Sequence, residues 1–250
     1  MPRITSALNQ NFSAIAPLAR GIARTVLAAG LLVTAYAGSV RADTLASACT
    51  QSYQPQSLDV TQPINLGQLK RQVYFYACSG AYDSELTTVL ADAQSYVEKR
   101  AAEVSKSALV LDIDETSLSN LRLPKGPCGF DNWVLSASAK AIPGTLSLFK
   151  AAKAHKVAVF FITGRHEGEK LRDATVKNLQ SAGFAAWDGL VLRPASAGNL
   201  SVAGYKSSER EKIAAQGYSI IVNVGDQQSD LDGGYAERAY KLPNPFYYLP

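Results

Sequence analysis

The chain alternates between short, almost entirely apolar runs and longer segments in which apolar and polar residues are mixed. The runs cover residues 109–111, 157–162 and 220–224. Continuous apolar runs of a few residues are typical of parallel strands that are buried on both faces, and the mixed segments between them suit helices. The pattern therefore predicts an α/β fold in which a central parallel sheet is flanked by helices.

Two further segments add to this picture. Residues 66–104 have a helical pattern that breaks near residues 79–80, and they predict an N-terminal helical extension that covers the sheet or overhangs one of its edges. Residues 118–143 have closely spaced proline and glycine residues ahead of Phe130 and Trp133. A loop of this kind after a strand predicts a small cap, whose aromatic side chains either stack on a ligand or pack the loop onto the domain.

Pairs of carboxylates follow the first and the third apolar run. Asp112 and Asp114 close the first run, and Asp226 and Asp230 follow the third. The carboxyl ends of parallel strands are where such sheets bind ligands, and close carboxylates repel each other unless a cation neutralises them or one carries a proton. Mg²⁺ is the natural cation for such oxygen ligands. Either pair alone also suits a helix start or an acidic turn.

The second run ends in a hydroxyl, a flexible turn and a guanidinium, namely Thr163, Gly164 and Arg165. The hydroxyl and the backbone N–H groups of such a turn can donate to phosphate oxygens, and the arginine adds charge-assisted donors. Lys206, just before a helical stretch, supplies a further cation. Taken singly, the turn is also typical of an ordinary strand-to-helix connection, and an isolated lysine is usually a solvated surface residue.

The order of paired aspartates, threonine, lysine and paired aspartates resembles the haloacid dehalogenase (HAD) superfamily of aspartate-nucleophile phosphotransferases. Within this superfamily, the chain looks like the class B, plant-type acid phosphatases of subfamily IIIB. The resemblance lies in residues 111–120, 162–165, 205–210, 225–231 and 241–248. That group also contains the plant vegetative storage proteins. The similarity extends from about residue 60 to the C-terminus and implies a Rossmann-like HAD fold.

The resemblance implies a role for each carboxylate. Asp112 would attack the phosphorus of a phosphomonoester to form an aspartyl-phosphate, and Asp114 would act as acid and then as base. One Mg²⁺ ion would be held by the carboxylates of Asp112 and Asp226 and by the backbone carbonyl of Asp114. Asp230 would orient a metal-bound water.

The resemblance also implies roles for the donors and cations. Lys206 would offset the negative charge that nucleophile and phosphate bring together, and Thr163 with the amide that follows it would hold the transferring oxygens. Arg165 would either bind phosphate directly or pair with Glu167 or Glu115 as a structural clamp.

The function expected from these features is that of a secreted, Mg²⁺-dependent acid phosphatase, active below neutral pH on small phosphomonoesters. A weakly active or inactive storage or binding protein on the same fold is one alternative, although the nucleophile Asp112 is intact. A more specific 5′-nucleotidase is another. A receiver-type signalling domain also uses acidic residues, threonine and lysine, but it lacks the spacing of two carboxylates in the first motif.

The N-terminus has the composition of a targeting segment. Residues 1–42 contain four arginines and no acidic residue, and residues 25–40 form an apolar stretch rich in alanine and leucine. This predicts a bacterial-type signal peptide, cleaved after Ala42 or, as a second candidate, after Ala37. A membrane anchor is the alternative, but about sixteen apolar-biased residues are short for a span. We therefore expect a periplasmic or secreted protein without a stable membrane anchor.

The charge and length of the chain limit its expected partners and its number of domains. The chain has 25 basic and 21 acidic residues, so removal of the four N-terminal arginines leaves a nominally neutral protein. Without a basic stripe, a nucleic-acid polymer is not expected as a partner. Residues 43–250 are enough for a single domain, and exposed helices over 66–104 are compatible with a homo-oligomer.

Three cysteines, Cys49, Cys78 and Cys128, lie in a chain that is expected to mature in an oxidising compartment. One disulfide and one free thiol is the simplest arrangement. A bond between Cys49 and Cys78 would tie the N-terminal arm to the first helix, and the sequence leaves the other pairings open.

Overall fold

The computed structural model describes residues 65–121 and 129–249. The predicted signal peptide lies outside these ranges. The helices are α1 (Leu66–Cys78), α2 (Ala81–Ala101), α3 (Gly129–Ser136), α4 (Pro143–Ala154), α5 (Glu169–Ser181) and α6 (Val202–Ala215). The strands are β1 (Ser107–Leu111), β2 (Leu118–Ser119), β3 (Lys140–Ala141), β4 (Ala158–His166), β5 (Gly189–Arg193), β6 (Ser219–Gly225) and β7 (Ala236–Lys241).

A parallel five-stranded sheet organises the fold, in the order β5-β4-β1-β6-β7. The three apolar runs form β1, β4 and β6, which are adjacent at the centre of the sheet. The predicted α/β fold with a central parallel sheet is therefore confirmed. The edge strands β5 and β7 were not predicted. Most of their residues are partly or fully exposed; β7 forms no continuous apolar run, and β5 contains the short run 190–192.

Alternate residues of β1 contribute to apolar clusters on opposite faces of the sheet. Leu109 and Leu111 belong to a cluster that includes buried side chains of α2 and α4. Ala108 and Val110 belong to a second cluster, which includes Tyr205 of α6. Burial on both faces explains why the central strands are apolar without alternation.

The predicted helical extension consists of α1 and α2, which are separated at Ser79 and Gly80. Gly80 has a φ of +85°, in the left-handed region that glycine adopts without strain. The second helix covers the sheet, because one of its faces is buried in the core. The buried residues of that face are Tyr82, Leu86, Leu90, Ala93 and Val97.

The segment predicted to form a cap contains α3 and a short antiparallel pair of strands, β2 and β3. Residues 122–128 lie outside the described ranges. The side chain of Asn178 on α5 bonds to both backbone groups of Ala139: its Nδ2 donates to the carbonyl oxygen (2.7 Å), and its Oδ1 accepts from the amide (3.1 Å). This buried amide ties the segment to the sheet-bearing domain.

The structure also bears on the cysteines and on membrane association. Cys78 is disulfide-bonded. Cys49 and Cys128 lie outside the described residues, so the choice of pairing stays a prediction. Within residues 65–121 and 129–249, no helix combines the length and the apolar character needed to cross a membrane.

Phe161 of β4 is the centre of an aromatic group, and we expect its loss to be costly. Its ring lies 5.7 Å from that of Phe184 and 5.8 Å from that of Trp187, and the side chain is fully buried. Phe161→Ala should lower the free energy of unfolding by about 3–5 kcal/mol, measured by urea denaturation. Phe130→Ala, at a position that is 41% exposed, should cost less than about 0.5 kcal/mol. Equal effects would contradict the assigned core.

Candidate active site

The carboxyl ends of the three central strands carry polar residues singled out in the sequence. Asp112 follows β1, and its amide donates to the carbonyl oxygen of Val224 (3.0 Å), which continues the pairing with β6 by one residue. Asp226 follows β6, and Thr163 lies within β4. Because these strands are adjacent and parallel, the three residues lie at the same edge of the sheet.

Three carboxylates meet at this edge. Asp112, Asp226 and Asp230 each offer an oxygen, all within 4.8 Å of one another, and all three residues are buried. The sequence predicts Asp112 and Asp226 as metal ligands and Asp230 as a residue that orients water. In the structure, the carboxylate of Asp230 is close enough to belong to the same cluster.

Lys206 reaches this cluster from the N-terminal half of α6. The helix is capped by Ser201, whose hydroxyl oxygen accepts from the amide of Gly204 (3.1 Å). The Lys206 Nζ then lies 2.5 Å from Oδ1 of Asp112 and 2.5 Å from Oδ1 of Asp230. The lysine, which the sequence alone would place at the surface, is only 4% exposed.

The charges of this cluster do not balance. Burial opposes a charged lysine, but Asp112 and Asp230 outweigh it and raise the pKa of Lys206. Burial also raises the pKa of Asp112 well above its usual range, and Asp230 and Asp226 add to the effect while Lys206 opposes it. Three carboxylates facing one ammonium favour a further cation, and a donor set made of carboxylate oxygens fits Mg²⁺.

Asp230 is held by its backbone as well as by its side chain. Its carbonyl oxygen accepts from Nη1 of the buried Arg210 (2.6 Å) and from Nδ2 of Asn223 (2.9 Å), and its Oδ2 accepts from the amide of Gln227 (2.8 Å). A Cβ at Gly225 would lie 2.2 Å from the Cβ of Asp230. The glycine that ends β6 is therefore required for this aspartate to approach the strand.

Asp226 accepts hydrogen bonds on both carboxylate oxygens. The hydroxyl of Thr116 donates to Oδ1 (3.0 Å), while Nε2 of Gln227 and Nδ2 of Asn244 each donate to Oδ2 (2.6 Å). The sequence alone assigned no role to the two amides. Asn244 lies in the C-terminal segment, residues 241–248, that carries part of the family resemblance. This resemblance was the one sequence signal that pointed to Asn244.

Asp114 and Arg165 form a bidentate ion pair. Nε of Arg165 donates to Oδ2 (2.9 Å) and Nη2 to Oδ1 (2.8 Å), and Asn120 also donates to Oδ1 (2.9 Å). Burial pushes the pKa of Asp114 upward, but Arg165 and Asn120 outweigh it and hold that pKa below its usual value. The guanidinium is buried and also donates to the hydroxyl of Thr175 (3.1 Å).

The predicted carboxylate partners of Arg165 were therefore wrong. Glu167 pairs instead with Arg172. Glu115 accepts from the backbone amide of Asn120. Asp114 provides the bidentate geometry that a guanidinium prefers, and the ion pair of Arg165 is with this aspartate and not with either glutamate.

Asn120 connects Asp114 to helix α3. Its side-chain Oδ1 accepts from the indole Nε1 of Trp133 on α3 (2.6 Å), while its Nδ2 donates to Asp114. The donor at one end of the amide thus determines which end faces the carboxylate. Trp133, for which the sequence left stacking or packing open, is half-buried against the core and hydrogen-bonded into the site.

Thr163 and Gly164 lie at the end of β4, beside β1. Thr163 is fully buried, and its hydroxyl oxygen accepts from the amide of Arg165 (3.2 Å). Gly164 is exposed, and a Cβ added there would meet nothing within 4 Å. The backbone at Gly164 is thus open to a bound group. The role of Thr163 and Gly164 in phosphate binding stays a prediction.

Two further residues, Tyr247 and Glu115, interact electrostatically with the carboxylates of the site. Tyr247 is 36% exposed; burial raises the pKa of its hydroxyl, and the charges of Asp226, Asp114 and Asp112 add to the effect. Glu115 has a φ of +54° and is 1% exposed. Burial raises the pKa of Glu115 to about 8.

Comparison with known proteins gives a consistent assignment. Residues 39–250 match the family model described as HAD superfamily, subfamily IIIB (acid phosphatase). Acid phosphatase 1 of Solanum lycopersicum is 34% identical over 185 residues, which cover 70% of this chain and 72% of that protein. Vegetative storage protein 1 of Arabidopsis thaliana is 32% identical over 180 residues, which cover 68% of this chain and 65% of the relative.

A solved structure shares the fold. The class C acid phosphatase from Bacillus anthracis superposes with a TM-score of 0.60, covering 72% of this chain and 85% of that chain. At 23% sequence identity, this likeness supports the architecture.

The buried carboxyl of Glu115 generates a pH prediction. Its raised pKa, about 8 against an ordinary 4.5, means that folding favours the protonated form. The stability of the native state should therefore fall as pH rises from about 5 to about 8. In this range the carboxyl of Glu115 is ionised in the unfolded state but still protonated in the native state. Because burial raises the pKa of Asp112 and Asp226 as well, Glu115→Gln should flatten the slope only in part.

The measurement is the free energy of urea unfolding against pH, in the presence of a chelator. Glu169→Gln, which changes an exposed glutamate in the first turn of α5, should leave the slope unchanged. A slope that is the same in Glu115→Gln and the wild type would contradict the assigned protonation of Glu115.

Proposed function

This chain belongs to subfamily IIIB of the HAD superfamily, the acid phosphatases, and from that membership we propose that it is a secreted, Mg²⁺-dependent enzyme that hydrolyses small phosphomonoesters. The observation that carries the proposal is the buried cluster of Asp112, Asp226 and Asp230, in which Lys206 bridges Asp112 and Asp230. A nucleophilic carboxylate beside an ammonium group, at the carboxyl end of the central strand, is the arrangement that an aspartyl-phosphate mechanism needs.

In the first step, an oxygen of Asp112 attacks phosphorus. The new bond joins this oxygen to phosphorus, while the bond between phosphorus and the ester oxygen breaks. Asp114 protonates the departing oxygen, which leaves as an alcohol or phenol. Lys206, held against Asp112 at 2.5 Å, offsets the negative charge that the transferring phosphate brings.

In the second step, water hydrolyses the aspartyl-phosphate. Asp114 takes a proton from the attacking water, phosphate leaves, and the carboxylate of Asp112 is restored. The ion pair with Arg165 favours the ionised form of Asp114, which suits this step. The first step needs the protonated form, so we expect mildly acidic conditions to favour it.

Mg²⁺ fits the donor set described above. We propose that Asp112 and Asp226 hold one ion together with the backbone carbonyl of Asp114, and that Asp230, in the same cluster, orients its water. When bound, the ion would neutralise charge and polarise a phosphate oxygen. Thr163, the open backbone at Gly164 and Arg165 would contact the phosphate group from the end of β4.

The remaining elements of the proposal concern the chain outside the site. We propose that residues 1–42 are a signal peptide and that the protein is periplasmic or secreted. Residues 43–250 would then form one domain, with 66–104 as a helical extension and 118–143 as a small cap.

A storage or binding role is the second candidate function. It is favoured by the similarity to Vegetative storage protein 1 of Arabidopsis thaliana. The buried Asp112 and its contact with Lys206 favour the enzyme instead, because storage alone needs no nucleophile. A 5′-nucleotidase would be a narrower form of the same activity, selected by residues of the cap.

Phosphate release from p-nitrophenyl phosphate by the purified protein tests the proposal. We expect turnover that needs Mg²⁺, stops with a chelator and falls by about 10³-fold or more in Asp112→Asn, since a residue that forms the covalent intermediate cannot be replaced. Asp131→Asn, at an exposed position on α3, should keep wild-type activity. A well-folded but inactive wild type would favour the storage or binding role, and an active Asp112→Asn would exclude Asp112 as nucleophile.

The contact between Trp133 and Asn120 gives a second test of the acid–base assignment. Trp133→Phe keeps an aromatic ring but removes the donor that orients the amide of Asn120. We expect kcat to fall by about 10-fold, which is part of the rate enhancement that a positioned acid–base group contributes. The pH profile of kcat should shift, and KM should change less than kcat. Trp187→Phe, at a partly buried position packed against the core, is the matched control. An unchanged kcat and pH profile in Trp133→Phe would show that this hydrogen bond does not orient Asp114.

A further inference from the structure

The segment that follows β7 contacts the carboxyl end of β6 and the side chain of Asp226. We name residues 242–249 the C-terminal strap. Its first residue, Leu242, donates its amide to the carbonyl oxygen of Gly225 (2.8 Å), which extends the pairing of β7 with β6. Further along, the ring of Phe246 packs edge-on against that of Tyr82 at 5.2 Å. The strap is thus anchored at the sheet and against α2.

Two side-chain amides converge on one oxygen of Asp226. Asn244 belongs to the strap and Gln227 to the loop after β6, and each donates to Oδ2 at 2.6 Å. The other oxygen, Oδ1, accepts from Thr116. The carboxylate is therefore fixed from both sides, and a rotation about its terminal bond would break three hydrogen bonds.

The strap determines which way both amides point. The amide of Phe246 donates to Oδ1 of Asn244 (2.9 Å), and the amide of Leu249 donates to Oε1 of Gln227 (3.1 Å). If either side-chain amide were reversed, its oxygen would face the carboxylate and its NH₂ group would face a backbone N–H. Two backbone donors of the strap thus keep two NH₂ groups directed at Asp226.

We propose that the C-terminal strap is a positioning element of the cation site. Its backbone holds Asn244 and Gln227 as donors to Asp226, so that this carboxylate keeps a single orientation toward a divalent cation. The inference rests on the proposed function, in which Asp226 holds Mg²⁺. Asn244 and Gln227 are positioning residues, because they act through Asp226.

The sharpest test removes a donor that does not touch Asp226. Leu249→Pro deletes the N–H that orients Gln227, and Leu249→Ala keeps this N–H while it removes the side chain. The side chain is 47% exposed, so neither change should unfold the protein, and thermal unfolding checks this. Gln227→Met removes the amide itself without adding charge.

The readout is the affinity of the full chain for Mg²⁺, measured by isothermal titration calorimetry without substrate. Gln227→Met should bind Mg²⁺ about 10-fold more weakly than the wild type, the lower end of the effect seen when a partner of a metal-ligating group is lost. Leu249→Pro should weaken binding in the same direction, and Leu249→Ala should bind like the wild type. The double variant of Leu249→Pro and Gln227→Met should bind no more weakly than Gln227→Met alone, because both act through the same amide.

The outcomes separate the two proposals. If the wild type binds Mg²⁺ and Leu249→Pro binds it equally well, the strap does not position Asp226, while the proposed function stands. Additive losses in the double variant would likewise overturn the inference, since they would show that Leu249 acts by another route. If the folded wild type binds no Mg²⁺, the metal dependence in the proposed function fails, and the inference fails with it.

Discussion

Like charges repel strongly where water is excluded, and Asp112, Asp226 and Asp230 are buried together at one edge of the sheet. Much of the surrounding structure provides donors to these carboxylates. Lys206 contacts Asp112 and Asp230, hydroxyl and amide groups donate to both oxygens of Asp226, and a backbone N–H donates to the second oxygen of Asp230. The cost of this arrangement is offset by partners contributed by several segments, which makes the site depend on the complete fold.

The topology of the sheet explains how distant segments meet. β1 lies between β4 and β6, so that Asp112 is flanked by the ends of both neighbours although these lie about fifty and about one hundred residues away in sequence. Helix α6 packs on the opposite face from α2 and delivers Lys206 to the same edge. The strap then closes the edge from beyond β7.

Sequence reasoning recovered the parts of this structure that have a local signature. The central strands are apolar throughout because both of their faces are covered, and the pattern located them. The edge strands β5 and β7 lack that burial and were missed. The candidate side chains that motifs placed at strand ends lie at one edge of the sheet, and their roles are predictions that turnover and metal binding test.

What the sequence did not show were partner choices made across the fold. Arg165 had several carboxylates within reach by sequence, and only the packing of its guanidinium selects Asp114 over Glu167 and Glu115. Asn244 and Gln227 escaped notice because amides are common at surfaces, and their importance comes from the backbone donors that orient them. Such choices depend on distances that no local pattern encodes.

The hydrogen bond between Trp133 and Asn120 also gives the protein an internal optical probe. The chain contains two tryptophans. Trp187 packs against the core residue Phe161. Trp133 donates its indole N–H to Asn120, which in turn donates to Asp114. Indole emission depends on the polarity around the ring and on what its N–H contacts. A chain carrying Trp187→Phe would therefore emit from Trp133 alone, and its spectrum would follow events at Asn120 directly, without a label.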